Sequence, residues 1–251
     1  LSPNIELLVD DMLEQNQRIK LITFLEKWLK DKILSVLKNL YDLKDLKDNN
    51  SSIKALAYQL YENNGVLKRD QVSEYIKKLD QNDRKILRDL GVKFGRYHVF
   101  LYKLIKPEPV SLRTLLWKNY NQKYLNLEPP TFGLNFLNDQ KIQNKNFMLL
   151  CGFEKFRNFY IRIDILERLF VQIINSETKN MEEIKMVPEM LNLLGCNKDD
   201  FKKLLKAMNY KILEKNNEIF FKYVPKKKIK SKDKENIKEN PFIILKNLNL
   251  N

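Results

Sequence analysis

Histidine occurs once among these 251 residues, cysteine twice and glycine six times. Each scarcity closes off a class of chemistry. One histidine, His98, with Cys151 and Cys196 far apart and no Cys-x-x-Cys pair, assembles no recognisable metal site, so no metal is expected. The two cysteines read as reduced, buried thiols rather than a disulfide. The glycines stand at 65, 91, 95, 133, 152 and 195, and none precedes Lys-Ser or Lys-Thr. The GxxxxGK[ST] loop that wraps nucleotide phosphates is therefore missing, and the chain alone is expected to hydrolyse no ATP and to hold no cofactor. Around His98 the run Arg96-Tyr97-His98-Val99-Phe100 offers neither a nucleophile elbow nor a carboxylate, so no catalytic residue is assigned. Signal peptide and transmembrane-length apolar runs are lacking too, which reads as a cytoplasmic chain without a membrane partner.

What the chain has in abundance is apolar residues, at 43%, enough for real cores, and positive charge, at a formal +14. The charge is concentrated. Residues 81–125 hold ten Lys/Arg against three Asp/Glu, and residues 222–238 hold eight Lys against two acids. These two stretches account for thirteen of the fourteen net charges, so the basic character has a direction.

From Gln17 the positions Leu21, Leu25, Trp28, Leu29, Val36, Leu37 and Leu40 keep a helical rhythm over about six turns, the longest helix expected, after a short helical stretch at 5–13. The break at 48–52 predicts a helix carrying Ile53, Leu56, Ala57 and Leu60, closed by Gly65. Asp70 is read as the cap of a helix with Val72, Tyr75, Ile76 and Leu79 on one face, and Asn82 as the cap of one that Gly91 stops after Leu90. Gly91 and Gly95 then bracket a loop. Tyr97, Phe100, Leu101 and Leu104 recur at helical spacing, Lys-Pro-Glu-Pro at 106–109 ends that segment, and Ser111–Tyr120 opens another helix. Residues 1–126 thus read as a helical bundle with a basic glycine loop.

Glu-Pro-Pro-Thr at 128–131 marks a linker, and residues 127–224 read differently. A short helix Phe147–Cys151 ends at Gly152, and Phe153–Ile163 forms a hairpin around Arg157-Asn158. A helix capped by Asp164 and running through Ile174 follows, then helices Pro188–Leu194 and Lys198–Met208, then a hairpin from Tyr210–Leu213 and Ile219–Tyr223. Helix, turn, helix, hairpin is winged-helix order. The fold class expected is mostly α: a helical bundle followed by a small α+β winged-helix-like module. Residues 225–251 make a basic tail with almost no apolar content before an apolar end at Phe242, Ile244, Leu245 and Leu248. Its lysines, including Lys226, Lys227 and Lys228, are read equally as a solubilising tether or as phosphate attraction, and the apolar end suits docking on this protein or on a partner.

Candidate contacts follow from long cations beside a glycine loop, whose backbone N–H groups are able to approach phosphate: Lys93 and Arg96 first, with Lys103, Lys106 and Arg113 along the same track. His98 has two readings, a buried hydrogen-bonded core histidine or a contact to base or phosphate. Tyr97 and Phe100 read as core rather than as stacking platforms. On the helix at 198–208, Lys202, Lys203 and Lys206 share the face opposite Phe201, Leu204, Leu205 and Met208, either as a solvated face or as a nucleic-acid surface.

The string LDQNDRKILRDLGVKFGRYHVFLYKLIKPEPVSLRTLLW at 79–117 resembles the segment of form "ALDQ…R..LR.LGVRFG.YHV.LP.LLKP…LRALLW" that follows the motor core of alphaproteobacterial DExH-box helicases, relatives of the mitochondrial RNA-degradosome helicase. IELLVDDML, LEKWLKDKI and IKALAYQLYENNGVLKR upstream, and RIDILERL, LLGCNKDDFKKLLKAMNY and NPFIILKNL downstream, are similar to that family in the same order. Tyr102 departs from the pattern, which has proline there. The resemblance, with a start at Leu1 rather than methionine, implies an excised C-terminal region: a non-catalytic accessory part of an ATP-dependent RNA or DNA helicase. It would bind single-stranded or duplex RNA or DNA beside motor domains of the same polypeptide. The alternative is a docking module that recruits a partner such as a nuclease or packs on the motor core.

Overall fold

A computed structural model describes residues 3–8, 14–47, 50–138, 144–177, 183–215 and 218–224. Residues 3–8 carry no helix, and the rest of the short helix expected at 5–13 lies outside the described residues. The long helix α1 spans Gln15–Val36 and buries only Ile33. A break at Leu37 separates it from α2 (Lys38–Lys44), so the rhythm running through Leu40 belongs to two helices rather than one.

Ile53, Leu56, Ala57 and Leu60 lie one and two turns apart on α3 (Ser51–Glu62) and are all buried; Asn50 caps it by accepting from the Ser52 N–H at 2.9 Å. Strand β1 (Val66–Lys68) follows, then α4 (Ser73–Lys78) and α5 (Gln81–Asp89). Two expected caps move. Val72, not Asp70, stands at the N-cap of α4. For α5 the cap is Asp80, not Asn82: Asp80 accepts from the Asp83 N–H at 2.7 Å while Asp83 accepts from the Asp80 N–H at 3.2 Å. That reciprocal box satisfies two amides at once, where Asn82 would start the helix too late to do so.

Beyond Gly91 the expected helix over Tyr97–Leu104 gives way to a hairpin, β2 (Val92–Phe94) and β3 (His98–Leu101), followed by a single 3-10 turn at Tyr102–Ile105. Every residue of β3 is buried, because β3 is the central strand of a sheet ordered β1-β3-β2. A strand buried on both faces has no period of two, and its apolar run mimics a helical one. The register pairs Val66 with Phe100 and Lys68 with His98 on one side, and Lys93 with Phe100 on the other. The region up to 126 is therefore helical around a three-stranded sheet, not a bundle alone. Pro107 does not end a helix but occupies the first turn of α6 (Pro107–Tyr120), where its missing N–H costs nothing.

Strand β4 (Phe136–Asn138), α7 (Lys145–Leu150), β5 (Phe153–Phe156) and β6 (Phe159–Arg162) follow, with sheet order β4-β6-β5. Then come α8 (Ile163–Glu177), β7 (Ile184–Lys185), α9 (Pro188–Leu194), α10 (Lys198–Ala207), β8 (Tyr210–Lys215) and β9 (Glu218–Tyr223), with sheet order β7-β9-β8. Helix α8 begins at Ile163, so Asp164 sits in its first turn, tied to Arg162 at 2.7 Å, instead of capping it.

One pattern recurs. Each of the three sheets is a lone strand, one or two helices, then a hairpin whose second strand sits in the middle; α3, α6 and α8 precede the three lone strands. In each, a left-handed residue turns the helix into the hairpin: Gly91 (φ 93°), Gly152 (φ 86°) and Asn209 (φ 67°). The three repeats share walls. Helix α6 packs through Val110 and Trp117 against Phe147, Met148 and Tyr160, across the linker expected at 127–132. Val66 and Phe100 of the first repeat pack on Ile163 at the start of α8.

Candidate nucleic-acid interface

The turn between β2 and β3 is where all three repeats meet. Its amides were expected to approach a phosphate; instead they hold a carboxylate of the chain itself. Glu167, on α8, accepts the N–H groups of Arg96, Tyr97 (2.9 Å) and His98 (2.9 Å). Gly95 is needed for this approach, since a Cβ there would stand 2.3–2.6 Å from the Glu167 carboxyl atoms. The nest is a built anion site, and its anion comes from within.

His98 is 2% exposed and lies between two carboxylates. Its Nε2 is 3.1 Å from Glu154 on β5, and its Nδ1 is 3.6 Å from Glu167, beyond hydrogen-bond reach, so that second contact is electrostatic. Lys68 on β1 donates to the other oxygen of Glu154 at 2.7 Å. Burial alone would lower the His98 pKa, but the Glu154 hydrogen bond and the charge of Glu167 outweigh it and hold the pKa above the ordinary 6.5. Burial would likewise raise both carboxylates; His98 and Lys68 pull Glu154 below its ordinary value, and His98 with the three turn amides does the same for Glu167. Of its two readings, His98 takes that of a buried, hydrogen-bonded histidine.

Arg113 leaves the expected track as well. It is 3% exposed and donates through Nη1 to the Asn64 carbonyl at 2.6 Å and through Nη2 to the Leu104 carbonyl at 2.5 Å. Burial pushes its pKa down to about 10. This guanidinium staples the α3–β1 corner to α6, with two of its nitrogens committed to backbone carbonyls. The same packing buries Cys151, whose thiol burial pushes up to about 12 although Arg113 acts to lower it.

Lys93, Arg96, Lys103 and Lys106 are exposed, and none has a carboxylate partner among the described residues. Lys106 lies over the Tyr102 ring at 4.9 Å, and the Arg96 guanidinium lies over Phe170 at 5.6 Å. The lysines of α10 are placed otherwise. Lys202 donates to Glu214 at 2.6 Å and Lys203 to Asp200 at 3.3 Å, while Lys206 is exposed. Tyr97 packs edge-on to Phe170 at 4.9 Å, and Phe100 is buried. Lys226, Lys227 and Lys228 lie outside the described residues.

Sequence reasoning missed Lys68, Arg69, Glu154 and Glu167. Beside the Lys68–Glu154 pair a cleft of about 430 Å³ opens, lined by Arg69, Ser73, Arg96, Tyr97 and Phe156 among others. Arg69 donates through its guanidinium to the Gly95 carbonyl at 2.6 Å and through its backbone N–H to the Tyr97 carbonyl at 2.8 Å, so the turn's carbonyls are held as well as its amides. The alternation of Phe153 and Glu154 along β5 was legible, but that the first repeat covers the Glu154 face is not a local property. Among the described residues no cluster of His, Cys, Asp or Glu could hold a metal ion, and no helix is long and apolar enough to cross a membrane. Compared with known proteins, the chain matches no family model, no curated protein and no solved structure.

Proposed function

We propose that this chain is a nucleic-acid-binding accessory region of an ATP-dependent helicase, built from winged-helix-like repeats and without catalysis of its own. One observation carries the reading: Lys93 on β2, Arg96 in the β2–β3 turn, Lys103 in the following 3-10 turn and Lys106 at the start of α6 are exposed with no carboxylate partner among the described residues. A run of exposed, uncompensated cations is the footprint of phosphate binding, because neutralising phosphates releases counterions. In helix-turn-helix modules the second helix of the pair faces the nucleic acid, and here that helix, α5, exposes Lys85 and Arg88 beside the hairpin. The family resemblance in the sequence assigns the motor to other domains of the same polypeptide.

The test is affinity for single-stranded RNA and DNA at two salt concentrations. Each phosphate neutralised on a single strand contributes about −0.7 to the slope of log K against log salt. A slope near −2 to −3 for the folded chain supports the reading; affinity that is absent, or indifferent to salt, overturns it.

A second reading has its own observation. On α1, Leu21, Phe24, Leu25 and Trp28 stand at i, i+3, i+4 and i+7, with Phe24 65% and Trp28 55% exposed. Such a stripe is the face by which an amphipathic helix docks on a protein, whether the motor core or a nuclease. Association with the motor domains that is lost in Phe24→Glu and survives high salt would favour docking as the main role.

A further inference from the structure

The cleft beside the Arg96 turn is not used by anything described so far, and its walls differ in chemistry. One wall is cationic. Lys68 has its charge matched by Glu154 at 2.7 Å, but Arg69 spends one nitrogen on a neutral carbonyl and Arg96 lies over a ring, so neither guanidinium is matched by a carboxylate among the described residues. Two aromatic side chains line the cleft as well, Tyr97 from the first repeat, edge-on to Phe170, and Phe156 at the end of β5 in the second, both half-buried against the third repeat's core. Two acids, Asp70 and Glu154, also line the cleft, against the three cations Lys68, Arg69 and Arg96. The balance is a single positive charge, rising to two when His98 is protonated. Its volume, about 430 Å³, falls in the range of roughly 300–1,000 Å³ typical of small-ligand sites.

The turn amides that would ordinarily cradle a phosphate are taken by Glu167, so an anion entering the cleft must be held by side chains. Guanidinium groups hold phosphate oxygens in pairs, and aromatic walls hold bases by stacking without regard to sequence. We propose that this cleft takes one splayed nucleotide of a single strand, its phosphodiester on Arg69 and Arg96 and its base against Tyr97 and Phe156; this rests on the nucleic-acid reading above and sharpens it. A duplex keeps its bases stacked inside, and a concave site of this size admits a nucleotide only where the base is already free to turn out.

The two walls separate in a binding experiment. Oligouridine of twelve residues carrying one 4-thiouridine is titrated at two salt concentrations, photo-crosslinked, and the crosslinked peptides are identified by mass spectrometry. Crosslinks are expected at Tyr97 or Phe156. Phe156→Leu keeps an apolar side chain but loses the stacking face, so affinity falls about tenfold with the salt slope unchanged. Arg96→Ala, on an exposed side chain that leaves the fold intact, lowers affinity and reduces the slope by about 0.7. Melting curves of both variants confirm folding, and the crosslink sites decide if Phe156→Leu is unstable. Crosslinks confined to other surfaces, with both variants binding as the parent chain does while Lys93→Ala still reduces the slope, overturn the cleft and leave the nucleic-acid reading standing. Absence of salt-sensitive binding to any strand overturns both. Equal crosslinking by a blunt duplex overturns the single-strand assignment. Competition by uridine monophosphate at micromolar concentration gives the cleft to a free nucleotide and likewise overturns it.

Discussion

Around β2 and β3 in the first repeat, Lys93 and Arg96 reach solvent with no carboxylate within ion-pair distance among the described residues, whereas in the third repeat Lys202 meets Glu214 and Lys215 meets Glu183, each at 2.6 Å, and Lys185 meets Glu218. Both repeats run strand, helix, helix, hairpin after a leading helix, with the last strand central. The third pairs Lys185, Lys202, Lys203 and Lys215 with carboxylates of its own. In the first, the turn amides are held by a carboxylate from α8 of the third repeat and Lys68 by Glu154 of the second, while Lys93 and Arg96 are left without a carboxylate among the described residues. One scaffold can thus carry a charged surface or a self-compensated one, and the order of elements alone does not say which.

The largest effect should come from cutting the link between the two. Glu167→Ala removes the acceptor of three turn amides and one of the two carboxylates facing His98, and should destabilise the chain by about 3 kcal/mol, since buried donors left unmatched cost about 1–3 kcal/mol each and the turn can recover part of that from water. Glu214→Ala, which takes an acceptor from the exposed face of the third repeat, should leave the melting temperature where it is. Thermal melts of the two variants side by side test the asymmetry; equal losses would erase it.

Next in size is the binding contrast. Lys93→Ala with Arg96→Ala should leave the fold intact and reduce the salt slope for single strands by about 1.4, equally across sequences, because phosphate contacts position without specifying. A folded double variant with the parent's slope would remove the first repeat from the interface.

How far the chain itself announced all this depends on distance along it. The helix with Ile53, Leu56, Ala57 and Leu60 and the hairpin around Arg157 were legible because each is set by neighbours within a turn or two. The β2–β3 hairpin was not, since the burial of β3 on both faces is conferred by β1 and by Ile163, thirty to sixty residues away. The same limit applies to the site. Lys93 and Arg96 were found as local charge beside glycines, while Glu154 and Glu167, which decide what the turn amides and His98 do, come from other repeats. The recurrence of the element order was hidden because the middle repeat shares little spacing with its neighbours.

A moderate effect is expected from pH, through the node that joins the repeats. His98 has its folded pKa raised above 6.5, so its contribution to stability is full below about pH 6.5 and is lost as pH rises through the folded value. Glu154 and Glu167 have theirs lowered from 4.5, so their contribution is full above about pH 4.5 and is lost as pH falls through the folded values. Melting temperature should therefore peak between about pH 4.5 and 6.5 and decline as pH rises through the folded His98 value. His98→Gln should flatten the alkaline decline and shrink the acid one in part, because His98 is among the groups that lower Glu154 and Glu167 while Lys68 and the turn amides remain. A variant with the parent's alkaline slope would show that other groups set it.

The smallest effect belongs to the third repeat. Lys202→Ala with Lys206→Ala removes as many charges as the Lys93, Arg96 pair, so equal loss of binding is what net charge alone would produce. The arrangement argues otherwise. Lys202 is engaged by Glu214, whose pKa it lowers while its own is raised, and removing the lysine releases that carboxylate instead of uncovering neutral surface. Such an exposed pair is screened by salt and adds little to folding, so the melting temperature should not change. The salt slope should fall by less than about 0.7, the value of one phosphate, because only Lys206 has its charge available. A loss as large as that from the first repeat would mean that Lys202 exchanges Glu214 for phosphate in the complex, and the interface would then extend along both repeats.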